Sequence, residues 1–211
     1  MFKFIIMSKH NISVFFIFIF HIIGALGLLS NKQDMFLFLT PFHLLLMLSL
    51  CFVFISFYKF YKTLLYIFFL GFLVELIGVK TGFLFGDYEY GSSLGFKIWD
   101  VPLIIGVNWI ILVLGSRGLV NYFVNNNKLQ IVFSAVLMVF LDCIIEPVAI
   151  LLDFWSWNND IVPIQNYIMW FIVAIFMQNL ISKHSVYIPL KLGLSIILSQ
   201  FLFFITILIF N

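Results

Sequence analysis

Long apolar runs alternate along the chain with short polar joints. Runs of the roughly 20 residues that a helix needs to cross a bilayer fall at 12–29, 36–57, 63–80, 100–118, 129–152, 163–181 and 186–210. The pattern predicts an all-α integral membrane protein, a bundle of about seven transmembrane helices forming one polytopic domain over 1–211, with no soluble domain left over. The first run, with Lys3 and Lys9 ahead of it and "GALG" at its end, has the outline of a secretory signal peptide. Because the chain keeps crossing the membrane, a retained first helix is the expectation.

Composition agrees with the pattern. Of the 211 residues 64% are hydrophobic and 9% charged, and the mean hydropathy is +1.18, values of a membrane protein and not of a soluble core. The basic residues then orient the bundle. With the N-terminus inside, the inner segments hold Lys3, Lys9, Lys59, Lys62, Arg117, Lys128, Lys183 and Lys191, and the outer ones only Lys32, Lys80 and Lys97. That bias supports an N-in, C-out topology. A net charge of +2 is too small to argue for a nucleic-acid partner, and none is expected. Cys51 and Cys143 fall in different apolar runs and are expected to be packing residues, with no disulfide or metal framework.

The acids are distributed unevenly. Most lie at the outer joints, but Glu75, Asp142 and Glu146 fall inside helices. In "LDCIIEPVAILLDFWSW" the carboxylates of Asp142, Glu146 and Asp153 are spaced i, i+4, i+11, which makes one stripe climbing toward the outer surface and facing one place. In "GFLVELIGVKTG", Gly71, Gly78 and Gly82 share a face with Glu75, so a neighbouring backbone is expected to approach there and Glu75 to point into the bundle. Each ionised carboxylate exposed to lipid would cost about 2.5–3.5 kcal/mol, and the three together on the order of 8–10 kcal/mol. No Lys or Arg is expected at their depth. Hydrogen bonds, a local water cavity, or a carboxyl kept protonated by loss of solvent must offset the cost. A buried neutral carboxyl is a proton donor. Pro147, next to Glu146, frees the carbonyl of Cys143 as a further acceptor. Acids in a membrane can also simply hold helices together, but three at similar depth without a cation point to a functional site.

Between the third and fourth runs lies "KTGFLFGDYEYGSSLGFKIWDVP", in which glycines alternate with Phe83, Phe85, Tyr88, Tyr90, Phe96 and Trp99. Such a segment lies in the interface or re-enters the protein; Tyr and Trp gather at interfaces in any case. Asn108, Trp109, Gln165 and Asn166 add polar groups at comparable depth, and Trp155 and Trp157 follow the acidic helix. A cavity of carboxyls, amides and aromatic faces suits an apolar substrate that becomes cationic during reaction. The four histidines, His10, His21, His43 and His184, are scattered singly and read as packing or interfacial residues. No phosphate loop, GxGxxG, CxxC, GxSxG or DDxxD pattern is present. What remains is acid and base chemistry with no cofactor and no metal.

The segments "ELIGVKTGFLFGDYEYGSSLGFKIWDVPLIIGVNW", "LDCIIEPVAILLDFWSW" and "VPIQNYIMWF" resemble, in that order, the membrane-embedded carotenoid hydratase family. That family includes the bisanhydrobacterioruberin hydratases of haloarchaea and the carotenoid 1'-hydratases of bacteria. The matching positions are Glu75, Gly78, Thr81, Gly82, Phe85, Gly86, Tyr88 and Tyr90; Pro102 and Trp109; Asp142, Glu146, Pro147, Trp155 and Trp157; Pro163, Asn166 and Trp170. A Tyr-Tyr-Gly element usual before the last proline is replaced here by the shorter "NNDIVP", at the outer rim of the expected site.

The resemblance implies addition of water to the terminal C=C of an acyclic, lycopene- or γ-carotene-like carotenoid, giving a tertiary alcohol. The residues fit that reaction: Asp142 or Glu146 as acid, the other or Glu75 as base or cation partner, and Asp153 as a link to outside water. Tyr88, Tyr90, Asn108, Trp109, Trp155, Trp157, Asn166 and Trp170 would bind substrate. Lipid, water and other carotenoid biosynthesis enzymes are the implied partners. A lycopene-cyclase-like enzyme or a proton-coupled transporter would use similar acids, although no inverted repeat is evident.

Overall fold

A computed structural model describes residues 8–183 and 187–211, the side chain of residue 159 excepted. Lys3, His184 and the first residue of the seventh predicted run lie outside them. The described chain forms seven helices, each long and apolar enough to cross a membrane: α1 (Lys9–Leu28), α2 (Gln33–Cys51), α3 (Phe57–Thr81), α4 (Ile104–Phe123), α5 (Asn127–Leu151), α6 (Ile164–Ser182) and α7 (Leu190–Phe210). These are the seven expected runs, with shifted ends.

Local chemistry sets those ends. The Ser8 hydroxyl accepts from the Asn11 amide at the start of α1, and the Asn126 side chain accepts from the Lys128 and Leu129 amides at the start of α5, both N-caps of the expected kind. Gly82, at φ +64°, closes α3 with its N–H on the Gly78 carbonyl. Pro163 and Pro189, extended, precede α6 and α7. The fourth helix starts at residue 104 and not 100, because β2 (Lys97–Ile98) and β3 (Val101–Pro102) form a hairpin just before it. Its two turn residues, Trp99 and Asp100, both have positive φ, 51° and 71°, as the favoured two-residue hairpin turn requires. A Lys80–Asp100 ion pair at 2.5 Å ties this hairpin to the end of α3 and holds the exposed Asp100 carboxyl below its usual range.

Helix α4 is the centre of the bundle. It is buried along most of its length and packs against α2, α3, α5 and α7. Its tightest crossing is with α7, where a methyl group on Gly193 would lie 2.1 Å from the Leu119 amide nitrogen. Gly193→Ala therefore has to push two backbones apart. Overpacking of this kind costs about 1–3 kcal/mol, and thermal unfolding in detergent should show the loss. Large apolar side chains such as Phe38, Phe69 and Phe176 remain exposed around the outside, as a lipid-facing surface requires. Cys51 is buried as expected, but Cys143 is exposed. It faces out of the bundle and is not a packing residue within it.

Beyond the helices lies a small cap. Strands β1 (Tyr88–Tyr90) and β4 (Trp155–Trp157) pair antiparallel, Tyr88 opposite Trp157 and Tyr90 opposite Trp155. One turn of 3-10 helix follows at Asn158–Asp160. The segment expected to lie in the interface or to re-enter the protein thus contains a strand, β1, joined to residues 65 positions or more along the chain.

Candidate active site

Strand geometry explains the site. Alternate residues on a strand point to the same face, so Tyr88, Tyr90, Trp155 and Trp157 share one face of the cap, while Glu89 and Ser156 are exposed on the other. That shared face meets the acids. Both tyrosine hydroxyls donate to Glu75 Oε2, at 2.6 and 2.7 Å, and both indole N–H groups donate to Glu146 Oε2, at 2.9 and 2.7 Å. A two-stranded cap thereby supplies donors to carboxylates on two different helices.

The remaining oxygens are held from within the bundle. Trp109 Nε1 on α4 donates to Glu75 Oε1 at 3.2 Å. The Asn166 amide on α6 donates to Asp142 Oδ2 at 3.0 Å and to Glu146 Oε1 at 3.1 Å. Both oxygens of Glu75 and both of Glu146 have side-chain donors; Asp142 Oδ1, fully buried, has no partner among the described residues. Exposures of 5%, 0% and 2% for Glu75, Asp142 and Glu146 place all three inside the protein. No ion pair to any of them occurs among the described residues. Hydrogen bonds from aromatic and amide groups do what no cation does.

Burial first, and then the Glu75 carboxylate, holds the phenols of Tyr88 and Tyr90 well above the ordinary tyrosine range. They stay protonated and keep donating. The aromatic groups also pack on one another: Trp109 stacks on Trp170 with centroids 4.2 Å apart, and Tyr88 lies 5.0 Å from Trp157. Small residues on α3 make room for this. A methyl group on Gly71 would lie 2.5 Å from the Trp109 ring, and one on Gly78 would lie 2.6 Å from Phe85 and 2.9 Å from the Tyr88 hydroxyl. The glycine face of α3 accepts aromatic side chains, where the sequence pattern led us to expect a backbone.

A cavity of about 20 Å³ lies between Glu75 and Glu146. All eight expected substrate-binding residues line it: Tyr88, Tyr90, Asn108, Trp109, Trp155, Trp157, Asn166 and Trp170. Asp142 lies behind it, linked to Glu146 through Asn166. Asp153 is a correction. Helix α5 ends at Leu151, and Asp153 follows in a left-handed turn at φ 53°, so it leaves the expected stripe. Its carboxylate accepts from the Ser92 amide and hydroxyl at 3.0 and 3.1 Å and anchors the cap away from the cavity. Phe85 and Ile105 complete the lining; Ile105 carried no sequence signal beyond apolarity. Among the described residues no group of three or more His, Cys, Asp or Glu side chains could hold a metal ion.

No solved structure matches the chain. Bisanhydrobacterioruberin hydratase of Haloarcula japonica is 30% identical over 105 residues, a stretch covering 46% of this chain and 36% of that protein. The chain thus matches little more than a third of the length of that relative, whose name is that of an enzyme. The family model described as carotenoid biosynthesis protein matches residues 35–210, well over half of the chain and every residue of the site. The chain belongs to the carotenoid biosynthesis protein family.

Proposed function

We propose that the protein is a hydratase that adds water to the terminal C=C of an acyclic carotenoid. The observation that carries this reading is the convergence of Glu75 and Glu146 on one cavity roofed by aromatic donors. The cavity exceeds the roughly 10–15 Å³ needed for a single water, and its carboxyl and amide groups supply the two to four polar partners such a water needs.

Asp142 and Glu146 share one amide donor in a buried site without a cation. Two charges so close in a dry environment are costly, so the pair holds one proton between them. That proton passes to the less substituted alkene carbon, the π electrons forming the new C–H bond and leaving a tertiary cation. Glu75 and the faces of the surrounding indoles stabilise the positive charge. A lone pair of the cavity water forms the C–O bond, and a carboxylate takes the proton released from oxygen. One proton is given and one returned, so no oxidant is required. The site acts within one membrane domain, N-terminus inside, in a cytoplasmic membrane; the bias of basic residues supports that orientation. Asp153 serves as an anchor for the cap.

Expression in a lycopene-producing bacterium tests the reading. Pigments carrying a new tertiary hydroxyl are the expected result. A new ring without added oxygen would mean that an internal double bond traps the cation, and unchanged lycopene would overturn both chemistries.

A further inference from the structure

The cavity between the acids, of about 20 Å³, is too small to hold the chain of a carotenoid, so all but the reacting end of the substrate must lie elsewhere. A second cavity, of about 320 Å³, lies between α1, α2, α4 and α7, within the about 300–1,000 Å³ range of small-molecule pockets. Its walls are mainly apolar, with Phe20, Phe36, Met47, Phe203 and Phe204 prominent. Ile105, Asn108 and Trp155 line both cavities, so they form the partition between them. Trp155 belongs to both functions: it is part of the wall of the large chamber, while its Nε1 donates to Glu146. The mouth of the chamber is marked by Ile23 on α1 and by Leu39 and Phe42 on α2, all exposed on the apolar outside of the bundle.

We infer that the chamber is a lateral binding site for the chain of an acyclic isoprenoid hydrocarbon. The chain enters from the bilayer between α1 and α2, and its terminal double bond comes to rest at the Ile105–Asn108–Trp155 partition, opposite the water held by the acids. Separate compartments for oil and water explain two cavities of such unequal size. The shared wall identifies the occupant, since a group bound in the chamber against Ile105, Asn108 and Trp155 has its end next to the cavity of the carboxyls. Asn108, half-buried with access to both compartments, is the positioning residue at the junction. This inference rests on the hydration reading for the identity of the ligand.

The test uses lycopene as probe, with the full chain in lipid nanodiscs. Wild-type protein retains lycopene, seen by visible absorbance after exchange against empty nanodiscs. Leu44→Trp fills the chamber from α2, and Ile23→Trp narrows the mouth from an exposed position that does not threaten folding. Each is expected to reduce retention, and to raise KM, by roughly tenfold, equivalent to about 1.4 kcal/mol, with kcat little changed. Glu146→Gln should retain lycopene as the wild type does. Wild-type retention without any alcohol product would defeat the hydration reading and leave the chamber standing. Failure of the wild type to retain lycopene, or unchanged retention and KM in folded Ile23→Trp and Leu44→Trp, would overturn the chamber.

Discussion

Glu146→Gln lowers the rate of hydration by about 10²–10⁴-fold, the usual contribution of a positioned proton-transfer group, while the protein stays folded. Glutamine is nearly isosteric, and its amide oxygen can still accept from the indoles of Trp155 and Trp157, which now share Glu146 Oε2. Its NH2 then faces the Asn166 amide, so the bridge to Asp142 is lost or inverted. One mismatched buried hydrogen bond costs about 1–3 kcal/mol, enough to lower the unfolding temperature but not to abolish the fold. The large effect is chemical. An amide cannot give up or take a proton as a carboxyl does. Asp142→Asn should fall on the same scale, because in the proposed mechanism the two groups hold their proton jointly. The measurement is turnover of lycopene in membranes, normalised to folded protein. Near-normal turnover in both variants would contradict the assignment.

Glu75→Gln lowers turnover by about 10²–10³-fold for a different reason. Glu75 is surrounded by donors from Tyr88, Tyr90 and Trp109, an environment made for a negative charge. The indole can only donate, but a phenol oxygen can also accept. The glutamine oxygen therefore turns to Trp109 and its NH2 to the tyrosines, and the network survives without its charge. What disappears is preorganised stabilisation of the cation, an effect of the size seen when one electrostatic partner of a transition state is removed. Tyr88→Phe and Tyr90→Phe leave the carboxylate in place, and each should cost less than Glu75→Gln. If Glu75→Gln matched wild-type turnover, stabilisation of the cation would have to come from the aromatic faces alone.

Much of this was legible in the sequence because a bilayer demands it. Helices that span lipid must be apolar and about 20 residues long, so the seven runs stand out, and carboxylates within them are costly enough to draw attention to Glu75, Asp142 and Glu146. The cap was harder to see. Strand pairing over three residues leaves no long pattern, and Tyr88 and Trp155 are too far apart in the chain for periodicity to connect them. A signal was nonetheless present, in the two aromatic pairs spaced by a single residue, "YEY" and "WSW", which is the period of a strand. Interfacial anchoring explained these aromatics equally well. Asp153 misled because the i+11 spacing holds only while the helix continues, and α5 stops two residues earlier. The large chamber left no motif at all, since its walls are made of the same Phe, Leu and Met residues that pack any membrane bundle.

The most direct test of acid-catalysed hydration by these carboxyls is isotopic. Protein in nanodiscs is given lycopene in ¹⁸O-labelled water and, separately, in deuterated water, and the product is analysed by mass spectrometry. If Glu75, Asp142 and Glu146 act as described, the hydroxyl oxygen comes from water, one solvent deuterium becomes bonded to the neighbouring carbon, and doubly labelled product forms about 10²–10⁴-fold more slowly with Glu146→Gln. An alcohol without ¹⁸O, or a labelled alcohol formed at an undiminished rate by folded Glu146→Gln, would contradict it.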